Sequence, residues 1–229
     1  MHINYLNTRR YSNFKLSAVF TLILLTTIIS IIAMVFWFVN PDSVKYFALQ
    51  PDSIIRGNYL WTILLHMFVH GGILHLLVNM LVLFSLGSLC EKIIGRKRFT
   101  WLYILAGIFA GILSIVTSLL FGGGELAAVF GSPGEYMVGA SGAIFAIAGL
   151  FVLILPKLKF TIIFLPFFSL PAYIMVPAVL IITWIVSIAA GWNIGNVAHF
   201  GGFIAGVLYG YYLRLRYRRK IEMLERYFR

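Results

Sequence analysis

The sequence predicts an all-α membrane protein that crosses the bilayer six times, with both termini in the cytoplasm. Of the 229 residues, 61% are hydrophobic and only 11% are charged. A soluble domain of this length could not bury that much apolar surface. Apolar runs recur at the length of about 20 residues that a helix needs to cross a bilayer. Basic residues cluster at alternate ends of those runs, as the positive-inside rule requires.

Six apolar segments are candidate transmembrane helices. The first is too long for the core of a signal peptide and has no obvious cleavage site, so we expect it to be retained. The stretch 60–90 would be about 46 Å long as one helix, so its first part is expected to lie at the interface or to re-enter the protein. The stretch 160–190 contains Pro166, Pro171 and Pro177, so only its later part should span. The predicted spans are residues 16–39, 73–90, 99–121, 137–155, 172–190 and 197–213.

The basic residues orient the predicted bundle. With six spans and a cytoplasmic N-terminus, only Lys45 and Arg56 of the eighteen lysines and arginines lie outside the cell. The net charge of +11 is therefore better explained by topology and by attraction to anionic membrane lipid than by nucleic-acid binding. The predicted organisation is a cytoplasmic segment at 1–15, a six-helix domain at 16–213 and a basic cytoplasmic tail at 214–229.

Four polar side chains are expected at one depth in the membrane. Ser141 and His199 lie fifteen residues from the cytoplasmic end of their spans, which places them about 22 Å above that surface. The same arithmetic gives about 24 Å for His75 and about 18 Å for Asn79. In a hydrocarbon core of about 30 Å, all four fall in the outer half. Such residues are costly to bury in lipid and indicate a functional site.

These residue types suit nucleophilic catalysis. Ser141 opens the fourth span, where unpaired backbone N–H groups could bind an oxyanion. His75 and Asn79 project from one helix face and could donate further hydrogen bonds. His199 is the remaining candidate for a general base to the Ser141 hydroxyl. Because no Asp or Glu lies within the apolar core of a predicted span, the pattern favours a two-residue dyad over a triad.

Small residues predict close packing of the two helices that carry the dyad. Gly202 and Gly206 share a face with His199, and the fourth span offers Gly142, Ala146 and Gly149. Small residues four apart let membrane helices approach closely. Ordinary helix packing remains an alternative explanation for each glycine pair.

Three motifs resemble those of the rhomboid family of intramembrane serine proteases. They are HGGILHLLVN at residues 70–79, GASG at 139–142 and AHFGGFIAG at 198–206. The resemblance implies a rhomboid-like bundle with Ser141 as nucleophile, His199 as its base, and an oxyanion site from His75, Asn79 and the Ser141 backbone. It implies no cofactor and no metal. It also implies single-pass membrane-protein substrates and an active site that opens toward the extracellular side of the cell membrane.

Two positions depart from the family pattern. Where the family often has Trp-Arg, this chain has Trp61 and Thr62, which puts the stability of that loop in doubt. Where a tyrosine often stacks on the catalytic histidine, this chain has Phe145. Phenylalanine keeps the ring face and loses the hydroxyl, so we expect activity to survive.

Several alternatives compete with this hypothesis. His66 and His70 are more simply explained as hydrogen-bonding groups in helix packing, and a metal site with His75 would lack a carboxylate partner. Ser141 could merely cap its helix. A pseudoprotease that binds transmembrane helices would be expected to lack Ser141 or His199. A transporter would need a polar path through the inner half of the membrane, which is almost wholly apolar.

Two segments are candidates for controlling access. The connection 191–197 contains two glycines and two asparagines and is predicted to cap the outward opening. The proline-broken stretch before and within the fifth span is predicted to act as a lateral gate. Aromatic residues at Trp37, Tyr46, Tyr59, Trp61 and Trp192 are expected to anchor the outer rim.

Overall fold

A computed structural model describes residues 17–162, 165–191 and 195–228. The predicted N-terminal segment 1–15 and part of the predicted cap, including Trp192, lie outside the described residues. The described chain is mainly helical, with eleven α-helices and one hairpin. They are α1 (Ala18–Val39), α2 (Pro51–Ile55), α3 (Thr62–Leu65), α4 (Ile73–Val82), α5 (Ser88–Ile94), α6 (Arg96–Phe121), α7 (Ala127–Phe130), α8 (Ser141–Ile154), β1 (Lys159–Ile162), β2 (Leu165–Pro171), α9 (Ala172–Ala190), α10 (Asn196–Arg216) and α11 (Arg218–Tyr227).

Four stretches are long and apolar enough to cross a membrane. They are Ala18–Val39, Ile73–Ile94, Arg96–Phe121 and Ala172–Ala190. Their outward faces carry exposed apolar side chains such as Phe20, Val116 and Ile185. Apolar side chains on the outer surface suit a lipid environment, so the chain is a membrane protein.

The carboxylate of Glu91 fixes the beginning of α1. It accepts hydrogen bonds from the Ser17 hydroxyl at 2.6 Å and from the backbone N–H groups of Ala18 and Val19 at 2.9 and 3.0 Å. The first N–H groups of a helix have no partner within the helix, and a negative charge there is favourable. Glu91 thereby attaches the stretch Ile73–Ile94 to the N-terminal end of α1.

The stretch Ile73–Ile94 is one continuous helix whose hydrogen-bonding pattern changes at its centre. Between α4 and α5, the backbone from Leu83 to Gly87 forms a turn of π-helix. Before it, α3 is followed by a short 3-10 helix over His66–Phe68, and the chain is not helical from Val69 to Gly72. Residues 60–90 therefore do not form one continuous helix, as expected, and the place of their first part relative to the membrane stays a prediction.

Helices α8 and α10 form the packed centre of the bundle. A Cβ on Gly202 would overlap the carbonyl oxygen of Gly142, and a Cβ on Gly206 would overlap that of Ala146. A Cβ on Gly149 would likewise overlap the carbonyl oxygen of Phe203. The predicted close approach of these two helices is confirmed, since only glycine lets the backbones come this near.

Two predicted elements need correction. The fourth apolar helix begins at Ser141 rather than at Met137, because Met137 pairs with Leu49 in an isolated antiparallel bridge. The fold is mainly helical as predicted, but residues 159–171 form an antiparallel hairpin that was not predicted, in which Lys159 faces Pro171 and Thr161 faces Ser169. The hairpin occupies the proline-containing stretch before α9, which begins at residue 172 as predicted.

The loop at Trp61 and Thr62 has its own hydrogen bonds. Thr62 is fully buried, and its hydroxyl donates to the Tyr59 carbonyl at 2.7 Å. The Trp61 indole N–H donates to the Tyr46 carbonyl at 2.9 Å. The rings of Tyr46, Tyr59 and Trp61 meet edge to face at about 5.5 Å. These contacts hold the loop together with threonine in the position where the family often has arginine.

The predicted basic tail is largely helical. Helix α10 continues to Arg216, past the predicted boundary at 213, and α11 follows it. Ile221 of α11 is buried against the bundle, and Arg214 forms a 2.7 Å ion pair with Glu225.

Candidate active site

Ser141 and His199 are in direct contact. Ser141 is the first residue of α8, and His199 lies in the first turn of α10. The Ser141 hydroxyl oxygen is 2.7 Å from Nε2 of His199, and His199 is 8% exposed. At this distance an unprotonated Nε2 can accept the hydroxyl proton, which is the geometry that a serine nucleophile and its base require.

The imidazole of His199 is held by a ring on α8. Phe145 stacks on it with ring centroids 4.7 Å apart and planes inclined by 30°. Phe145 is one turn after Ser141, so a single helix supplies both the hydroxyl and the aromatic face. The ring contact expected at Phe145 is present without a tyrosine hydroxyl.

The second nitrogen of His199 has no hydrogen-bond partner among the described residues. Its Nδ1 is buried and makes no hydrogen bond there. In a Ser-His-Asp triad this nitrogen would donate to a carboxylate that orients the ring. In the described part of the chain, the contact with the Ser141 hydroxyl and the packing against Phe145 orient the ring.

His75 lies beside Ser141, across Gly139. A Cβ placed on Gly139 would be 3.1 and 3.2 Å from Cε1 and Nε2 of His75, and 3.6 Å from the Ser141 hydroxyl oxygen. Gly139 also has φ of +129°, a conformation that favours glycine. A side chain at this position would therefore disturb the backbone and crowd the imidazole and the hydroxyl together.

Asn79 lies one turn after His75 on α4. Its amide Nδ2 donates to the His75 carbonyl at 2.9 Å, which uses one of its two hydrogens and leaves the other free to donate elsewhere. Asn79 is 7% exposed, whereas the His75 side chain is open to the cavity. The structure thus brings together all four residues that were predicted to lie at one depth.

A cavity of about 920 Å³ contains this cluster. Helix α4 lines it with Val78 and Val82, and α9 lines it with Val176 and Val179. The strand β1 also contributes residues to the lining. A space of this size, lined mostly by apolar groups together with a few polar ones, is typical of a ligand site.

His66 and His70 take part in hydrogen bonding, as predicted. Nδ1 of His66 is 3.0 Å from the Thr62 carbonyl, and Nδ1 of His70 is 3.0 Å from the Ser30 hydroxyl. Among the residues that the structure describes, no group of three or more His, Cys, Asp or Glu side chains could hold a metal ion. The contact with Ser30 was not predicted, because a serine within an apolar helix commonly bonds to its own backbone.

Comparison with known proteins shows which protein family the chain resembles. The model of the Rhomboid domain matches residues 57–216. The chain is 32% identical over 168 residues to RHOMBOID-like protein 4 of Arabidopsis thaliana, covering 73% of this chain and 38% of the relative. It is 31% identical over 177 residues to RHOMBOID-like protein 5 of the same plant, covering 77% and 51%. It is 30% identical over 169 residues to the human presenilin-associated rhomboid-like protein, mitochondrial, covering 72% and 40%. The chain thus spans about half or less of the length of these curated relatives.

Proposed function

The chain belongs to the rhomboid family, and on that premise we propose that it is an intramembrane serine endopeptidase. Its substrates are single-pass membrane proteins, which it cleaves in or near the outer part of their transmembrane segments. The observation that carries the proposal is the 2.7 Å contact between the Ser141 hydroxyl and Nε2 of His199. The contact joins two separate helices at a buried position, and a helix cap alone would not need it.

In the proposed reaction, His199 takes the proton from Ser141 as its oxygen attacks the scissile carbonyl carbon. Negative charge then develops on the carbonyl oxygen. The Ser141 N–H, the His75 ring and the free Nδ2 hydrogen of Asn79 are the donors available to stabilise it. The protonated His199 gives its proton to the leaving nitrogen as the C–N bond breaks, and an acyl ester remains on Ser141. Water, activated by the same imidazole, hydrolyses the ester.

The proposal includes six spans, with both termini in the cytoplasm and the site opening toward the extracellular side of the cell membrane. The two further spans would be α8, a shorter apolar helix, and α10, a less apolar helix of 21 residues. The distribution of lysine and arginine supports this orientation. Helix α8 has 14 residues and is about 21 Å long, shorter than the hydrocarbon core. Its first residue, Ser141, therefore lies below the outer boundary in this arrangement.

Substrates would enter between α4 and α9. Both helices line the cavity that contains Ser141, and Pro177 interrupts the hydrogen bonding within α9. A covalent cross-link between cysteines introduced on α4 and α9 should block cleavage of a transmembrane substrate. Unchanged cleavage by the cross-linked protein would remove this route.

Cleavage of a transmembrane reporter in liposomes tests the proposed activity. The wild-type protein should release the two expected fragments, and Ser141→Ala should release none while keeping its folded stability. Ser118→Ala is the matched control, because this buried hydroxyl donates to the carbonyl of Ile115 on its own helix and should be dispensable. Cleavage that persists in Ser141→Ala, or is equally lost in Ser118→Ala, would contradict the proposal. A wild-type protein that binds the reporter without cutting it would favour the pseudoprotease alternative.

A further inference from the structure

His70 is a fully buried histidine that the proposed reaction does not use. Its Nε2 accepts a hydrogen bond from the backbone N–H of Ala140, with 3.4 Å between the nitrogens. Its Nδ1 is 3.0 Å from the hydroxyl oxygen of Ser30 on α1. That hydroxyl is in turn 3.1 Å from the carbonyl oxygen of Phe68. Both ring nitrogens are therefore engaged by specific partners.

The partners determine where each proton lies. A backbone N–H can only donate, so Nε2 of His70 has to be the unprotonated nitrogen. A neutral imidazole then carries its hydrogen on Nδ1 and donates it to Ser30. The Ser30 hydroxyl donates its own hydrogen to the Phe68 carbonyl, which can only accept. This assignment gives every hydrogen in the chain of contacts an acceptor and sets one tautomer of His70.

His70 contacts two parts of the site, the backbone before Ser141 and the ring of His75. Ala140, which it binds, immediately precedes Ser141 and lies at the N-terminal end of α8. The preceding residue, Gly139, donates its N–H to the His66 carbonyl at 3.0 Å. On its other side, His70 packs edge-on against His75, with ring centroids 4.9 Å apart and planes inclined by 75°. One ring thus fixes the backbone before the nucleophile and supports a proposed oxyanion donor.

We propose that Ser30 and His70 are positioning residues for the reaction. Ser30 selects the tautomer of His70 that binds the Ala140 N–H, and His70 then holds the Ser141 backbone and the His75 ring in place. Helix α1 is thereby coupled to the active site, although Ser30 does not line the cavity. The kinetic consequence rests on the proposed protease function, whereas the tautomer does not.

Ser30→Ala is the informative variant. It removes the acceptor of the Nδ1 hydrogen, so the other tautomer becomes accessible and would point its Nε2 hydrogen at the Ala140 N–H. The backbone before Ser141 should then shift. We expect kcat for a transmembrane reporter to fall at least fivefold with little change in KM, because the substrate still enters the same cavity. Thr26→Val is the matched control, since Thr26 is a buried hydroxyl one turn earlier on α1. It should keep wild-type kcat.

Nitrogen-15 NMR of labelled histidines reads the tautomer directly. In the full-length protein in nanodiscs, the His70 signals, assigned by their loss in His70→Gln, should be those of a neutral ring protonated at Nδ1. They should move toward the other tautomer in Ser30→Ala. Ser30→Cys keeps a side chain of similar size but offers a weaker hydrogen-bond acceptor, so it should shift the tautomer only in part. This variant tests the proposal if Ser30→Ala does not fold.

The outcomes separate the two proposals. An Nε2-protonated or positively charged His70 in the wild-type protein would overturn the positioning role, as would an unchanged kcat in Ser30→Ala. An equal loss of kcat in Thr26→Val would show that α1 acts only through general packing and would also overturn it. If the wild-type protein cuts no substrate while His70 has the expected tautomer and Ser30→Ala shifts it, the protease function fails and the hydrogen-bond assignment stands.

Discussion

Gly202 lies so close to the carbonyl oxygen of Gly142 that no side chain fits between α10 and α8 at this point. Gly142 directly follows Ser141, and Gly202 lies one turn after His199. A very close approach of the two helices therefore lies beside Ser141 and His199. Backbone contact at these glycines sets the distance between the hydroxyl and the imidazole.

Gly202→Val should separate the two helices. We expect it to lower the free energy of unfolding by about 2 kcal/mol or more, because the added methyl groups would overlap backbone atoms that cannot move aside. Cleavage should fall with it, since the Ser141–His199 contact would lengthen. Thermal unfolding in detergent and reporter cleavage measure the two effects. Gly123→Ala is the control, because no atom lies within 4 Å of a Cβ at Gly123. Equal behaviour of the two variants would argue against the packing account.

Phe145→Ala should loosen the imidazole of His199. Stacked rings contribute about 0.5–1.5 kcal/mol beyond their buried area. If that energy orients the base, kcat should fall by roughly two- to tenfold. Phe145→Tyr keeps the ring and should retain most of the activity. Steady-state cleavage of a reporter separates the variants, and an alanine variant with full kcat would show that the stacking has no catalytic role.

Glu91→Gln should weaken the attachment of α1. Both carboxylate oxygens accept hydrogen bonds at the beginning of that helix, and the amide can replace only one of them. We expect a loss of about 1 kcal/mol in the free energy of unfolding. Glu222→Gln is the matched control, because Glu222 forms an exposed ion pair with Arg218, and such pairs contribute little. A loss as large at Glu222 would contradict the capping role of Glu91.

Thr62→Arg, which restores the residue common in the family, should destabilise this protein. Thr62 is fully buried and bonded to the Tyr59 carbonyl, so a longer charged side chain has no space and no partner there. The midpoint of thermal unfolding should fall by several degrees. Thr62→Ser keeps the hydroxyl and should change it little. A higher midpoint for Thr62→Arg would show that this loop still accommodates the family pattern.

The contact between Ser141 and His199 could be anticipated from the sequence, because the position of a residue along a membrane-spanning helix determines its depth in the bilayer. A constant rise per residue placed the two side chains at one level, and the small residues at Gly142, Gly202 and Gly206 predicted the close approach that joins them. These are properties of regular helices and need no knowledge of the loops.

The hairpin and the contacts of His70 could not be predicted in the same way. Residues 159–171 are apolar and contain prolines, a composition that does not distinguish a strand from an irregular segment. The start of α8 depends on the pairing of Met137 with Leu49, which are far apart in sequence. The contact between Ser30 and His70 likewise depends on how α1 packs, and no spacing along the chain encodes it.

Labelling by a serine-directed fluorophosphonate probe tests the dyad most directly, since it needs no substrate. Mass spectrometry of the folded wild-type protein should find the probe on Ser141 alone. Labelling should vanish in Ser141→Ala and slow by at least about 100-fold in His199→Ala, because the hydroxyl would lose its general base. Denatured protein should remain unlabelled. Labelling of Ser141 at the wild-type rate in His199→Ala, or on a different residue, would contradict the dyad.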